Sequence, residues 1–324
     1  MHKRMSGSEK KILLSGVKPT GRIHIGNYFG ALKQWVEMMN SGEYECFFMV
    51  ADYHTLIFIQ NADEMRKLTR DTIIDYLAVG LDPKKVTIFK QSDVSAHTEL
   101  AWIFDTLVTV PYLMRAHAYK DAEAQGREVS AGTFNYPVLM ASDILLYSPD
   151  IVPVGQDQKQ HIEYARDIAG KFNNAFGETF KLPKEFIMKE VAVVPGIDGR
   201  KMSKSYGNTI PLFATDEEIG KAVMSIVTDS GKDIPENVYA IHKLFRDSAD
   251  LERIYADNKG KYKALKEILI QDLKDFIGPM REKREWLERD NDLIERVIKE
   301  GAEKAQAIAD AKLAEAKVRI GVLD

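Results

Sequence analysis

The sequence has very little cysteine: Cys46 is the only one among 324 residues. A single thiol excludes an internal disulfide and any zinc site built from several cysteines. Cys46 lies in the apolar run 44–50, which predicts a buried thiol on a strand. This pattern of cysteine use fits the reducing cytoplasm, where we expect the protein to be found.

Long hydrophobic runs and a large excess of charge are missing as well. No apolar stretch approaches the ~20 residues that span a bilayer. Residues 1–10 are polar and predict a frayed tail without the apolar core of a signal peptide. The net charge of −4 argues against a surface coated with positive charge for nucleic acid. We therefore predict no membrane partner and no DNA partner, and any RNA binding must rest on local motifs.

The first two-thirds of the chain alternates short apolar strands with amphipathic helices. Strands are predicted at residues 11–16, 44–51, 86–90, 152–154 and 191–194. The helix that begins at His97 is predicted to end where Pro111 stops it. This alternation predicts an α/β fold, a Rossmann-like domain whose parallel sheet is covered by helices. Ligands of such sheets bind beyond the carboxyl ends of the strands.

The texture of the sequence changes after Ser205. Thr215 and Glu218 form a capping-box pattern, and helical stretches follow to the end of the chain. We predict that residues 11–214 form the Rossmann-like domain and that residues 215–300 form a helical domain. Residues 301–324 are rich in Ala, Glu and Lys, which predicts a C-terminal helix that packs back on the first domain.

The first chemical motif is the segment PTGRIHIGN at residues 19–27, directly after the first predicted strand. Its glycines, Gly21 and Gly26, have P-loop spacing, but the required Lys-Ser/Thr is absent. Glycines there let a phosphate or an adenine approach the backbone, and the amino end of the next helix attracts anions. His24 can donate a hydrogen bond to a phosphate oxygen. An ordinary strand–helix turn explains this segment equally well when it is taken alone.

The second motif is KMSKS at residues 201–205, flanked by Gly196, Gly199 and Gly207. Its two lysines and two serines can wrap a triphosphate tail with ammonium and hydroxyl donors. The glycines predict a loop that moves during catalysis. A solvated surface loop is the usual alternative for such a string. Two motifs of this kind, each after a predicted strand, are far less expected by chance and together indicate ATP chemistry.

A third feature is an apolar helix at residues 136–147 that Asp143 interrupts. Tyr136, Met140, Asp143 and Tyr147 fall on one helical face. A carboxylate there is costly to bury without a donor. Asp143 is either part of an ion pair or helix start, or a pocket acceptor for one N–H or O–H of an otherwise apolar ligand. The second alternative would give strong discrimination, because a wrong ligand leaves the buried carboxylate unpaired.

The motifs together resemble those of class I aminoacyl-tRNA synthetases. Residues 24–27 match their HIGH motif with Asn in the last place, and residues 201–205 match KMSKS letter for letter. The strings LMASDILLY (139–147) and VPVGQDQKQH (152–161) resemble bacterial tryptophanyl-tRNA synthetases in particular. The similarity covers nearly the whole chain.

This resemblance implies a cytoplasmic homodimer that activates L-tryptophan with ATP and transfers it to tRNA(Trp). It implies that ATP is a substrate, that Mg²⁺ is bound through the phosphates with no metal site in the protein, and that the helical domain binds the anticodon. The implied catalytic residues are His24, Asn27, Lys120, Lys201 and Lys204. The implied ATP-binding residues are Lys18, Pro19, Thr20, Gly26, Asn27, Gly155, Gln156, Asp157, Val194, Lys201, Met202, Ser203, Lys204 and Ser205. The implied tryptophan-binding residues are Asp143, which meets the indole N–H, and Met140, Tyr136, His54, Gln158 and Leu14.

The sequence departs from the family pattern at two of these positions. Lys18 stands where many bacterial relatives have Gln, and Leu14 stands where Phe is common. The ammonium of Lys18 can bind the substrate carboxylate or a phosphate. Three alternatives remain: a tyrosyl-tRNA synthetase, a nucleotidyltransferase of the HIGH type that acts without tRNA, and a non-catalytic RNA-binding paralogue.

Overall fold

The computed structural model describes residues 10–126, 128–154, 159–187, 193–228 and 233–324. Apart from Lys10, the predicted tail lies outside this range. In the described part of the chain the strands are β1 (Lys11–Val17), β2 (Tyr44–Val50), β3 (Val86–Lys90), β4 (Val152–Val154) and β5 (Glu185–Ile187). Cys46 is a free thiol buried on β2, as predicted, and burial raises its pKa to about 11.

All strand pairs are parallel. β1 pairs with β2 and β2 pairs with β3, while β4 pairs with β5. The Leu14 N–H donates to the Ile151 carbonyl at 3.2 Å, which brings the start of β4 beside β1. The strand order is therefore β3–β2–β1–β4–β5, the arrangement of a doubly wound nucleotide-binding fold. The Rossmann-like prediction is confirmed.

Helices connect and cover these strands. The first helical segment is α1 (Ile25–Asn27), which continues through a π-helical turn (Tyr28–Leu32) into α2 (Lys33–Ser41). The other helices of the α/β domain are α3 (Asp52–Thr55), α4 (Ala62–Ala78), α5 (Ala96–Asp105), α6 (Val110–Leu113), α7 (His117–Ala124), α8 (Ala131–Leu145) and α9 (Lys159–Phe176). The helical region that follows contains α10 (Asp216–Met224), α11 (Glu236–His242), α12 (Ser248–Asp257), α13 (Tyr262–Arg289) and α14 (Asn291–Arg319).

Two details of the predicted elements are wrong. The helix that begins near His97 ends at Asp105, and Pro111 lies in the first turn of the next helix, α6. Proline is tolerated in a first turn because the N–H that it lacks has no intrahelical partner there. The strand predicted at 191–194 is not seen at Val193 and Val194, and residues 191 and 192 lie outside the described residues.

The hydrophobic core lies on both faces of the sheet. Side chains alternate along a strand, so Phe47 and Phe48 of β2 point into different layers. Phe48 stacks on Trp35 at 4.7 Å between ring centroids, whereas Phe47 packs against Tyr147 at 5.6 Å. The second layer holds α5 and α8, whereas Ile25 and Met202 of the two sequence motifs lie in the layer of Phe48.

The last helix, α14, packs against the sheet at β3. Ala305, Ala309 and Ala316 are buried in the same core cluster as Phe47. A Cβ at Gly301 would lie 1.7 Å from the carbonyl oxygen of Ile88, so only glycine allows this approach. The predicted boundary at residue 300 falls inside this continuous helix.

The helical region begins with the capping box expected from the sequence. The Glu218 N–H donates to Thr215 Oγ1 at 3.2 Å, and the Thr215 N–H donates to Glu218 Oε2 at 2.8 Å. Within the described residues, no helix combines the length and the apolar character that a membrane crossing requires.

Candidate active site

The two phosphate-type motifs lie side by side although they are about 180 positions apart in sequence. The backbone after the second motif runs antiparallel to the first motif. The Ile25 N–H donates to the Ile210 carbonyl at 3.0 Å, and the Leu212 N–H donates to the Ile23 carbonyl at 2.9 Å. The structure thus brings the two motifs together.

The first motif forms a helix cap in which histidine takes the usual place of serine or threonine. The Asn27 N–H donates to His24 Nδ1 at 3.3 Å, and Asn27 Oδ1 accepts the His24 N–H at 3.1 Å. Burial, and then the charge of Lys204, lowers the pKa of His24 to about 4. The neutral ring with Nδ1 as acceptor carries its proton on Nε2, so His24 can offer one N–H to a phosphate oxygen.

Gly26 lies where the two motifs touch. A Cβ at this position would lie 2.9 Å from His24 Nδ1 and 3.3 Å from Met202 Cβ. A side chain larger than hydrogen would therefore disturb both the cap and the packing of Met202, which is buried in the core. The glycine of the first motif is explained by this close approach.

The KMSKS loop is anchored at Met202 and leaves both of its lysines exposed. The Met202 N–H donates to the Val194 carbonyl at 2.9 Å, and the Ser203 N–H donates to Asn208 Oδ1 at 2.8 Å. Lys204 Nζ donates to the Gly21 carbonyl at 2.8 Å. The second lysine of this loop is thus held against the backbone of the first motif.

Asp143 lies near the end of α8, not at its start, and its carboxylate is 2% exposed. Oδ1 accepts from Gln91 Nε2 and from His97 Nδ1, each at 2.7 Å, and Oδ2 accepts from His54 Nε2 at 2.8 Å. Burial by itself raises the pKa of Asp143, but the hydrogen bonds from His54 and His97 outweigh it and hold the pKa at about 2. A buried, ionised acceptor is therefore present at this point of the fold.

Of the other predicted tryptophan-pocket residues, His54 binds Asp143 directly, and the structure also describes Tyr136, Met140 and Leu14. Tyr136 lies between His54 and His161, with ring centroids 6.1 Å and 5.7 Å away. Met140 is half-buried one turn before Asp143, and Leu14 on β1 belongs to the hydrophobic cluster against which Met140 packs. These side chains add aromatic and apolar groups to the polar partners of Asp143.

The remaining predicted residues are less tightly placed. Pro19 is buried, Thr20 is exposed, and Lys18 lies 5.1 Å from the centre of the Phe58 ring. Lys120 is exposed on α7, whose neighbouring Tyr119 lines an open cavity of about 740 Å³. Gly155, Gln156, Asp157 and Gln158 lie outside the described residues.

Sequence reasoning missed several partners of these groups. Gln91 and His97 bind Asp143, and Asn208 supports the KMSKS loop. Gln91 had a usable signal, because it is the first polar residue after the carboxyl end of β3, where ligands of a parallel sheet bind. His97 and Asn208 have no such signal, since only the folded chain brings them to their partners.

Ion pairs join the helical region to the α/β domain near the first motif. Arg22 binds Glu218 through two hydrogen bonds of 2.7 Å and 3.0 Å. Arg284 on α13 donates from Nε to Asp75 on α4 at 2.5 Å. The first pair starts within the first motif, whereas the second joins α13 to α4.

The comparisons with known proteins agree with this geometry. The family model for class I tRNA synthetases (W and Y) matches residues 6–295. A tryptophan–tRNA ligase of Fusobacterium nucleatum is 47% identical over 320 residues, which cover 96% of this chain and 98% of that protein. The chain belongs to the bacterial-type tryptophanyl-tRNA synthetases.

Other members of that family give the same result. A tryptophan–tRNA ligase of Rhodopirellula baltica is 42% identical over 319 residues, covering 96% of this chain and 99% of that protein. The crystal structure of tryptophanyl-tRNA synthetase from Campylobacter jejuni complexed with ADP and tryptophan matches with a TM-score of 0.90. Its identity to this chain is 40%, and the match covers 96% of this chain and 99% of the Campylobacter chain.

Proposed function

We propose that this protein is a tryptophan–tRNA ligase. It activates L-tryptophan with ATP to give tryptophanyl-adenylate and pyrophosphate, and it then transfers tryptophan to tRNA(Trp). The observation that carries this proposal is a buried, ionised Asp143 in the same α/β domain as the paired HIGN and KMSKS motifs. Membership of the tryptophanyl-tRNA synthetase family supports it over nearly the whole chain.

The tryptophan pocket is proposed around Asp143, which accepts the indole N–H. His54, Tyr136, Met140 and Leu14 supply the surrounding walls. Gln158 would contact the ammonium or carboxylate end of the amino acid. An apolar pocket with one directed acceptor selects a ligand by shape and by its single donor.

ATP is proposed to bind across the two motifs. Lys18, Pro19, Thr20, Gly26 and Asn27 follow the carboxyl end of β1, where backbone and helix amino-terminal N–H groups meet phosphates. Gly155, Gln156, Asp157 and Val194 complete the nucleotide site in this proposal. Met202, Ser203 and Ser205 shape the loop that presents Lys201 and Lys204.

The chemistry of the first step needs no general base, because the tryptophan carboxylate is ionised at neutral pH. One of its oxygens attacks the α-phosphorus of ATP, and the bond from that phosphorus to the departing pyrophosphate breaks. Catalysis is then mostly alignment and stabilisation of the pyrophosphate charge. Lys201 and Lys204 would hold that charge with help from Lys120, and the Nε2–H of His24 would donate to a phosphate oxygen.

Lys204 must change partner in this scheme. Its ammonium donates to the Gly21 carbonyl at 2.8 Å, and although the side chain as a whole is exposed, desolvation of the ammonium lowers its pKa. A phosphate oxygen carries full negative charge and is a stronger acceptor than a neutral carbonyl. Binding of ATP is therefore expected to draw Lys204 away from Gly21.

Mg²⁺ is proposed to bind through the phosphates of ATP. The side chains of the KMSKS loop are cationic or hydroxyl groups, whereas Mg²⁺ prefers carboxylate and phosphate oxygens. Among the described residues, no group of three or more His, Cys, Asp or Glu side chains is arranged to hold a metal. Mg²⁺ would be held by the ATP phosphates and would add positive charge to that of Lys201 and Lys204.

The proposal also covers assembly and location. The exposed apolar side chains of Trp102, Val110 and Met114 lie on and after α5 and suit a homodimer interface. The helical region after Thr215 is proposed to bind the tRNA anticodon. The cytoplasm, where the tRNA substrate is found, is the proposed location.

Tryptophan-dependent ATP–pyrophosphate exchange is the test of this function. We expect exchange with tryptophan to exceed exchange with tyrosine by orders of magnitude, followed by charging of tRNA(Trp). Preference for tyrosine would make the protein a tyrosyl-tRNA synthetase. Exchange without charging of tRNA would instead favour an adenylate-forming enzyme that acts without tRNA.

A further inference from the structure

Three buried donors converge on the carboxylate of Asp143, and they are divided unevenly between its oxygens. Oδ1 accepts from Gln91 and His97, while Oδ2 accepts from His54 alone. Gln91 and His97 are both 0% exposed. The Oδ1 side therefore faces the protein interior, whereas Oδ2 faces His54, whose ring lies 6.1 Å from that of the half-buried Tyr136.

A hydrogen bond from the backbone fixes the orientation of the Gln91 amide. Its amide oxygen accepts the Tyr53 N–H at 3.1 Å, so its NH₂ group is the one that points to Asp143. A reversed amide would place an oxygen against the carboxylate and lose both hydrogen bonds. The backbone after β2 thus sets which atom Gln91 presents.

The ring of His97 is fixed in the same way. Asp143 is ionised and can only accept, so His97 Nδ1 must carry a proton. His97 Nε2 lies 3.0 Å from the Tyr147 hydroxyl, which can serve either as donor or as acceptor. The contact to Tyr147 holds the plane of the ring and directs the Nδ1–H at Oδ1.

A carboxylate has about four acceptor sites, two on each oxygen. Two donors fill Oδ1 and one donor occupies Oδ2. We propose that Gln91 and His97 are positioning residues that saturate Oδ1 and leave one acceptor site on Oδ2 for the N–H of the substrate. This inference rests on the proposed function, since it assigns the free site to the indole N–H of tryptophan.

The proposal explains how a carboxylate can select for a single donor. With Oδ1 filled, the carboxylate cannot rotate to offer another oxygen without breaking two buried hydrogen bonds. A ligand that lacks the N–H leaves the remaining site of Oδ2 unpaired in a buried place, which is costly. Gln91 and His97 therefore determine selectivity without touching the substrate.

The test compares two amide variants of His97. In His97→Asn the side-chain amide takes the place of Nδ1, so it can still donate to Asp143 while the contact to Tyr147 is lost. In His97→Gln the amide reaches the place of Nε2, so the contact to Tyr147 is kept and the donor to Asp143 is lost. Both variants keep a buried polar group, which makes them a matched pair.

The measured quantity is the ratio of kcat/KM for tryptophan to kcat/KM for 3-benzothienyl-alanine in ATP–pyrophosphate exchange. The analogue has sulfur in place of the indole N–H and nearly the same shape. We expect His97→Gln to lower this ratio by about tenfold and His97→Asn to keep it within about threefold of the wild-type value. Phe104→Leu, a change two turns along α5 in the core, should lower the melting temperature without changing the ratio.

The outcomes separate the inference from the proposed function. Equal ratios in the wild type and both His97 variants would overturn the positioning role even if both variants were less active. A lower ratio in His97→Asn than in His97→Gln would overturn it as well. Absence of tryptophan-dependent exchange in the wild-type protein would instead overturn the proposed function.

Discussion

The candidate site has two ends that are built differently: the proposed tryptophan pocket around Asp143, called the tryptophan end, and the proposed phosphate site at the KMSKS loop, called the phosphate end. At the tryptophan end, Asp143 is buried and receives three hydrogen bonds of 2.7–2.8 Å from within the α/β domain. At the phosphate end, the lysines of the KMSKS loop are exposed, and the loop meets the first motif from about 180 residues away. The first end is completed by its own core, whereas the second is completed by contacts between distant segments.

This difference matches the tasks proposed for each end. Selection of an amino acid requires an acceptor that does not move, because a loose carboxylate can adapt to a wrong ligand. Release of pyrophosphate requires groups that can let go, and surface loops held by a few hydrogen bonds do so more readily than a packed core. We therefore expect changes at the first end to affect selectivity and changes at the second end to affect rate.

The largest expected effect tests the tryptophan end. Asp143→Asn keeps the size of the side chain but removes the ionised acceptor, and one of its two polar atoms becomes a donor that faces donors. We expect kcat/KM for tryptophan in pyrophosphate exchange to fall at least about a hundredfold. The control is Asp105→Asn, a change at a partly buried aspartate on α5, which should have little effect. Exchange at the wild-type level in Asp143→Asn would refute the assignment of this residue.

The next effect tests the phosphate end. Lys204→Ala removes one of the two ammonium groups assigned to the departing pyrophosphate, so kcat should fall about a hundredfold. The Kd for tryptophan, measured by calorimetry, should stay within about twofold because the pocket is formed elsewhere. Lys221→Ala removes another exposed lysine, one that pairs with Glu217, and should change neither value. An equal loss of rate and of tryptophan affinity would contradict the division between the two ends.

A stability measurement tests whether the last helix, α14, supports the tryptophan end. Gly301→Ala would place a Cβ 1.7 Å from the carbonyl oxygen of Ile88 on β3, the strand that leads to Gln91. We expect the free energy of unfolding in urea to fall by about 1–3 kcal/mol. Gly220→Ala in α10 meets no atom within 4 Å and should instead raise it by about 0.5–1 kcal/mol. An unchanged or higher value for Gly301→Ala would show that α14 can move away from β3 at little cost.

Much of the fold was predictable because apolar periodicity reports directly on strands and helices. The strands β3 and β4 lie at the predicted residues, and the capping box at Thr215 forms as expected. Pro111 misled the prediction, since a proline can begin a helix as well as end one. The strand predicted at 191–194 is not seen at Val193 and Val194, where the Val194 carbonyl bonds instead to the Met202 N–H of the KMSKS loop.

The site was predictable where a residue's role depends on its own segment. His24 and Asn27 cap the same short helix, and the lone Asp143 in an apolar helix indicated either a pocket acceptor or an ion pair or helix start. Gln91 and His97 could not be found in this way, because their partner lies 52 and 46 residues further along the chain. Tertiary packing decides which donors reach a given carboxylate, and local sequence does not show that packing.

The smallest expected effect concerns the ion pair between Arg22 and Glu218. Arg22 lies inside the first motif, and Glu218 caps the first helix after the KMSKS loop. Both side chains are partly exposed, so the pair should stabilise the fold by no more than about 0–1 kcal/mol. It does tie the first motif to α10, the helix that follows the KMSKS loop. We expect Arg22→Ala to raise the KM for ATP about threefold to tenfold and to leave the KM for tryptophan unchanged.

Glu218→Gln is the matched partner for this experiment. Glutamine can keep the capping box at Thr215 but loses the charge that Arg22 binds, so it separates the ion pair from the helix cap. The double variant should be no worse than either single variant, because both changes remove one shared interaction. Additive losses would mean that Arg22 and Glu218 act separately, and the phosphate end would then be held by the KMSKS loop's own contacts alone.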